Sequence, residues 1–336
     1  MAPAPGTRMR RERVAELQIH FCVLLWGFTS ILGKVISLGA LPLVWWRMLL
    51  VVAALAAVPS VWRGLAAMPS RLRAAYAGIG VLVALHWLTF YGAIKLANAS
   101  VAATCIALAA PLTALVEPWL AGARFSWRDL VLGVAVLPGV ALVVGGVPPG
   151  MQAGVAVGAV SALLVAVFGS LNKRLVHRGQ PLAVTGLELA AGALALTLLA
   201  PLMPMLFPVF AGPLLVVPAP RDALLLLALA LACTLLPFAL SLVALRHMSA
   251  FAAQLAVNLE PVYAILLAIA LLGEQREVGR QFYLGAAVIL AAVFARPLLQ
   301  RPRRVRLDTL GTAEAPQIGD SSAHGEGGRE ADFRPL

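Results

Sequence analysis

Apolar runs of about 20 residues follow one another along the chain with only short polar breaks, and a run of that length crosses the hydrocarbon core as an α-helix. They lie at 18–38, 41–62, 74–95, 98–121, 129–147, 151–171, 182–205, 222–245, 250–272 and 279–299, and are called segments 1 to 10 in that order. Lipid offers no hydrogen-bond partners to the backbone, so each run must satisfy its own N–H and C=O groups as a closed helix. The expectation is an all-α membrane protein of ten transmembrane helices. Segment 1 follows a basic N-terminus, but it is long enough to span and leads straight into segment 2. It therefore reads as a retained helix and not as a cleaved signal.

The composition closes off other classes. Only 12% of residues are charged, against roughly 25% in soluble domains, so the bilayer is the fitting solvent. The net charge of +11 does not indicate nucleic acid, because the basic residues form short clusters between apolar runs and no stripe or patch. Cys22, Cys105 and Cys233 all lie inside apolar runs with neither metal-ligand spacing nor a disulfide framework. They read as packing residues, with no metal and no cofactor expected.

The distribution of Lys and Arg orients the spans. Clusters occur in the N-terminal tail (Arg8, Arg10, Arg11, Arg13), between segments 2 and 3 (Arg63, Arg71, Arg73), and between segments 4 and 5 (Arg124, Arg128). Others lie after segment 6 (Lys173, Arg174, Arg178) and from Arg296 to the end. Every second connection is thus basic, which puts both termini in the cytoplasm of a multi-pass cell-membrane protein. Residues 1–17 form a basic cytoplasmic tail, and residues 300–336, basic then acidic, read as a disordered cytoplasmic tail.

The two halves of the chain resemble each other. Segment 1 contains WGFTSILGK, ending at Lys34, with Pro42 eight residues on; segment 6 contains AVFGSLNK, ending at Lys173, with Pro181 eight residues on. Segment 4 (ASVAATCIALAAPLTAL) matches segment 9 (SAFAAQLAVNLEPVYAI), with Pro111 falling on Pro261. Each proline lies near mid-span, where it removes a backbone hydrogen bond and kinks the helix. The units run over 18–147 and 151–299. Five is odd, so the second unit enters the membrane inverted, and inverted repeats with matched broken helices mark secondary transporters.

With these residues in view the sequence resembles the drug/metabolite transporter superfamily, EamA type. The resemblance rests on Trp26-Gly27 with Lys34, Pro42, Arg47, the YGAIKLANASVAA run with Pro111, Glu260-Pro261, Leu272-Gly273-Glu274 and Gly285. It covers about 18–299. One departure is that Gly122-Ala123-Arg124 stands where the family pattern has Gly-Glu, so no role for that glutamate carries into the first half. The resemblance implies export or exchange of small metabolites, amino acids among them, by alternating access about a central cavity.

Ionisable residues inside spans are expensive and mark functional positions: Arg47, His86, Glu117, Glu188 and Glu260. Glu260, beside the segment 9 proline, is a candidate for proton coupling or for a substrate amine. Gln254, Asn258 and Pro261 share a helix face, whereas Glu260 sits about 160° from Asn258 on an ideal helix. Both faces can line one cavity only where the proline unwinds the backbone. Arg47 either snorkels, binds a substrate carboxylate or pairs with a glutamate, for which Glu188 is the natural guess. Trp87 and Tyr91 share one face of segment 3 and His86, Thr89 and Phe90 another, offering an aromatic lining. Trp26, Ser30, Ser161 and Asn172 are further cavity candidates, and Glu117 reads as reaching the interface. Gly154-x-x-x-Gly158 is a close-packing motif compatible with a homodimer. An intramembrane enzyme or a non-transporting scaffold is the alternative, but no nucleophile with its base, metal set, selectivity filter or nucleotide loop is visible.

Overall fold

The computed structural model describes the backbone of residues 5–299 except 258 and 278, and side chains between 10 and 292. The expected C-terminal tail and the candidate Asn258 lie outside the described residues. All described regular elements are helical. They are α1 (Pro5–Val35), α2 (Ala40–Ala56), α3 (Pro59–Ala66), α4 (Ser70–Leu96), α5 (Ala99–Ala121), α6 (Trp127–Gly145) and α7 (Pro149–Leu175). There follow α8 (Pro181–Leu199), α9 (Pro220–Ala244), α10 (Ala250–Leu272) and α11 (Arg280–Leu299), with a one-turn helix at Met203–Leu206 between α8 and α9.

Among the described residues, eight helices are long and apolar enough to cross a membrane, and nine if the bent pair α2–α3 is one span. The described apolar part of α11, Arg280–Ala292, is shorter. The bend between α2 and α3 is 92° and has a local cause. Pro59 opens α3, and the residue before a proline is pushed out of the helical region; Val58 sits at φ −100°, ψ 107°. The expected 41–62 run therefore ends as a helix at Ala56. At the other end, α1 begins at Pro5, so much of the expected N-terminal tail is helical.

Small residues let the helices approach. A Cβ on Gly154 would lie 2.7 Å from the Ala97 Cβ, and one on Gly158 2.8 Å from the Cys105 Cβ. The Gly-x-x-x-Gly motif is thus used inside the chain, seating α7 against α4 and α5. Gly139 and Gly285 bring α6 and α11 together backbone to backbone, each meeting the other's carbonyl oxygen. The proline-rich 201–220 connection is pinned by Phe210, whose carbonyl accepts the Leu41 N–H at 3.1 Å.

Helices α5 and α10 are both broken and carry matching ends. Helix α5 passes through a tighter turn at Ile106–Leu108 before resuming at Ala109; α10 comprises the helical stretches Ala250–Val257 and Glu260–Leu272, with Leu259 in a turn ahead of the second. Each ends on a left-handed glycine, Gly122 (φ 69°) and Gly273 (φ 68°), which caps the terminal carbonyls without a Cβ penalty. At their starts, the Asn98 side chain accepts from the Val101 N–H at 2.9 Å and the Ser249 hydroxyl from the Ala252 N–H at 3.0 Å.

The two helices also cap each other. The Glu274 carboxylate, just past the end of α10, accepts the N–H groups of Ala99 (3.2 Å) and Ser100 (3.1 Å) and the Ser100 hydroxyl (2.6 Å). The Glu117 carboxylate, near the end of α5, accepts the N–H groups of Ala250 and Phe251, both at 2.8 Å. The start of each helix meets the end of the other, so they run antiparallel. Glu117 is buried, which corrects its reading as an interface residue. It supplies the capping carboxylate in the half that lacks the Gly-Glu pair, about a turn and a half earlier on the helix.

Candidate substrate cavity

A cavity of about 120 Å³ lies between α1, α2, α4, α7, α9 and α10. Its polar wall includes Thr29, Arg47, His86, Ser241, Gln254 and Glu260, and its aromatic wall Trp26, Trp87, Phe90, Phe168 and Phe238.

Arg47 sits on α2 and is 1% exposed, so it does not snorkel. Its position is fixed from both sides. On α9, Nε donates to the Thr234 hydroxyl at 2.5 Å and Nη2 to the Cys233 carbonyl at 3.5 Å. On α4, Nη1 donates to the Tyr91 hydroxyl at 2.8 Å, and the guanidinium carbon stands 3.8 Å from the Trp87 ring centre, a cation–π contact. The α9 partners are presented by a π-helical stretch, Leu231–Leu235, a distortion that recurs at functional sites. Within it the Thr234 hydroxyl donates to the Leu229 carbonyl at 2.6 Å, leaving its lone pair to receive Arg47. The guanidinium has more N–H donors than these bonds use, and it borders the cavity.

Helix α10 supplies Gln254 and Glu260 to the same cavity. An unbroken helix would hold Glu260 well away from the Gln254 face. Both line the cavity here, and a separate helical stretch begins at Glu260. Glu260 makes no hydrogen bond among the described residues. The Gln254 Nε2 and the Thr29 hydroxyl, which also line the cavity, are buried without partners among the described residues. Unpaired buried polar atoms cost about 1–3 kcal/mol each, and these two face one space.

His86 is held by α7. Its Nδ1 lies 2.9 Å from the Ser161 carbonyl oxygen, while the Ser161 hydroxyl donates to the His86 carbonyl at 3.0 Å. The Ser161 hydroxyl also lies 2.8 Å from Nδ1, so both Ser161 oxygens hold this side of the ring. The ring packs against Phe168, centroids 5.4 Å apart.

The cavity therefore brings together Trp26, Arg47, His86, Trp87, Gln254 and Glu260. Among the other described candidates, it takes in neither Tyr91, Ser30, Ser161, Asn172 nor Glu188. Tyr91 is fully buried behind Arg47, and Trp87 lines the cavity with His86 and Phe90, so the two expected faces of segment 3 are redistributed. Thr89 turns its hydroxyl to the Leu85 and His86 carbonyls, and Ser30 bonds the Gly27 carbonyl. Glu188 does not pair with Arg47; it faces Asn172, whose Nδ2 donates to Oε2 at 3.4 Å. Pro111 and Pro261 both stand in the first turn of the resumed helices. Sequence reasoning missed Thr29, which lies one turn after Trp26 on α1 and was findable by that spacing. It also missed Thr234, whose only local signal is Pro237 beyond it.

A bundle of long apolar helices around a buried, partly polar cavity is a multi-pass membrane protein. The sequence model described as the EamA-like transporter family matches residues 14–145 and 152–295. The chain belongs to that family, and through it to the drug/metabolite transporter superfamily. No curated protein matches it significantly. One solved structure, described as "Crystal structure of protein", superimposes with a TM-score of 0.61 at 20% identity, covering 86% of this chain and 99% of that one. It is similar in fold.

Proposed function

We propose that this protein is a secondary exporter or exchanger of small zwitterionic metabolites such as amino acids, working by alternating access in the cell membrane. The observation that carries this reading is the placing of Arg47 and Glu260 on one cavity with the unpartnered Thr29 and Gln254. A substrate carboxylate meets the Arg47 guanidinium, fixed in orientation by Thr234 and Tyr91. A substrate amine meets the Glu260 carboxylate. Trp26, Trp87 and the phenylalanines enclose the apolar part.

The architecture behind this reading is ten spans in two inverted five-helix units, residues 18–147 and 151–299, with both termini cytoplasmic. The mutual caps support it: Ala99 and Ser100 open one broken helix, Ala250 and Phe251 the other, and each pair is held by a carboxylate from the other unit. A second symmetric pair adds support. Lys95, at the end of α4, donates to the Ile36 carbonyl; Arg246, beyond the end of α9, donates to the Val176 and Gly179 carbonyls. Rocking of one unit against the other then exposes the cavity to each side in turn.

The test is counterflow in proteoliposomes preloaded with an unlabelled amino-acid mixture and supplied with the radiolabelled mixture outside. Wild-type protein accelerates label entry, and Arg47→Ala and Glu260→Gln each reduce it at least tenfold. Entry no faster than in protein-free liposomes rejects transport of this class, and full activity in both variants moves the site elsewhere.

A further inference from the structure

Away from the central cavity, α8 and α7 carry a second polar cluster that the substrate site does not use. Glu188 on α8 is completely buried. Among the described residues its side chain takes one hydrogen bond, the long one from Asn172 Nδ2, at 3.4 Å to Oε2. Three buried atoms here have no partner among the described residues: Glu188 Oε1, Asn172 Oδ1 and the Thr185 hydroxyl, one turn before Glu188 on α8. The backbone at Glu188 is closely packed, because Gly80 on α4 approaches so near that a Cβ there would meet the Glu188 main-chain carbonyl oxygen.

An ionised carboxylate does not fit this inventory. It accepts only, so Oε1 has no donor while Asn172 Oδ1, also an acceptor, has none either. The charged and titratable groups on the helices around α8 are Arg47 on α2, Arg63 on α3, Arg71, Arg73, Tyr76, His86, Tyr91 and Lys95 on α4, Lys173 and Arg174 on α7, Arg221, Asp222 and Cys233 on α9, and Arg246 beyond α9. None forms an ion pair with Glu188. Arg47 is engaged by Thr234 and Tyr91, Tyr76 donates to the Leu175 carbonyl, Lys173 to the Leu245 and Met248 carbonyls, and Arg246 to the Val176 and Gly179 carbonyls. A buried carboxylate without a counter-ion carries a penalty of several kcal/mol. A proton on Oε1 turns that oxygen into a donor for which Asn172 Oδ1 is the available acceptor.

The cluster has an approach from one end of the bundle. A small cavity of about 10 Å³, the scale of a single water, is lined by Tyr76, Asn172, Val176, Gly179, Pro181, Val184 and Leu242. It joins Asn172 to the turn at residues 176–179, where Arg178 and Gly179 are exposed or nearly so. Neither Glu188 nor Asn172 lines the central cavity.

We infer that Glu188 is a proton-binding site, reached from the 176–179 turn through the Tyr76–Asn172 cavity and separate from the substrate site. The step is Glu188 carboxylate plus a proton giving the neutral acid, with no other bond made or broken. It rests on the transporter reading for its role, which is to couple proton movement to substrate movement while Glu260 serves the substrate.

Two measurements test it. The first needs no substrate: infrared difference spectroscopy of the full-length protein in nanodiscs between pH 6 and pH 9. A carboxylic-acid carbonyl band is expected in wild type, absent in Glu188→Gln and displaced in Asn172→Ala, whose folding is checked by an unchanged thermal midpoint. A band that survives unaltered in Glu188→Gln, or no such band at pH 6, overturns the site. The second uses the amino-acid mixture in proteoliposomes. Glu188→Gln is expected to retain counterflow at equal pH and to lose at least tenfold of the accumulation driven by a pH gradient. Accumulation at the wild-type level overturns the coupling role. Where wild-type counterflow is itself absent, the transport reading fails and the infrared band alone decides the proton site.

Discussion

The carboxylate of Glu117 receives the backbone N–H of Ala250 at 2.8 Å, joining two residues that lie far apart in the chain at the start of the broken helix α10. With the same carboxylate on Phe251, and Glu274 on Ala99 and Ser100, it answers the unsatisfied amides at both helix starts. Charge at these N-termini is also favourable to the helix dipole.

Replacing Glu117 by Gln leaves one acceptor oxygen and no charge for two amides. We expect a loss of about 2 kcal/mol, since hydrogen bonds to charged groups contribute about 1.5–3 kcal/mol each. Thermal unfolding in detergent checks this, and Glu274→Gln should fall at least as far because its carboxylate holds a third donor. Two wild-type melting curves would remove the mutual cap from the account of stability.

Gly78 and Gly80 lie two residues apart on α4 and predict opposite outcomes. A Cβ on Gly78 meets nothing within 4 Å, whereas one on Gly80 falls 2.1 Å from the Glu188 carbonyl oxygen. Gly78→Ala should raise the melting temperature, worth up to about 1 kcal/mol in a helix interior. Gly80→Ala should force α4 and α8 apart and lower both folded yield on size-exclusion chromatography and melting temperature. Equal behaviour of the two variants contradicts this packing.

Arg47→Lys keeps the charge and loses the planar fork that Thr234 and Tyr91 hold. The expected result is near wild-type yield with counterflow of the amino-acid mixture reduced about tenfold, equivalent to about 1.4 kcal/mol. Undiminished counterflow in the lysine variant would mean that orientation of the guanidinium is irrelevant.

Gln254→Ala separates binding from stability. Its Nε2 is buried without a partner among the described residues, so its removal should leave the melting temperature unchanged or raise it. Protection of the protein by high concentrations of the amino-acid mixture, read as the shift in melting temperature, should shrink. A destabilised variant with full ligand protection would make Gln254 a packing residue.

The helical spans were legible because lipid imposes a length and an apolar composition that a single sequence displays. The cavity was legible in part, since buried ionisable and polar residues are rare enough to be noticed: Arg47, His86, Gln254 and Glu260 all reach it. Their mutual arrangement was not. The face of α10 depended on a break that no helical wheel represents, and the guess that Arg47 meets Glu188 followed charge alone, whereas a hydroxyl, a phenol and an indole face hold the guanidinium. The partner of Glu117 was hidden because contacts across such a separation in sequence leave no local pattern. The missing Gly-Glu pair pointed to a gap in the first half, while the substitute lay a few residues upstream, inside a run that reads as plain helix.

The mutual capping also orders events at the ribosome. Helix α5 is synthesised before Glu274 exists, so its leading amides must rely on water until α10 has been made. Helix α10 finds Glu117 already in place when it emerges. Closure of the first half thus waits on the second, and the residue just past α10 completes a helix made well before it.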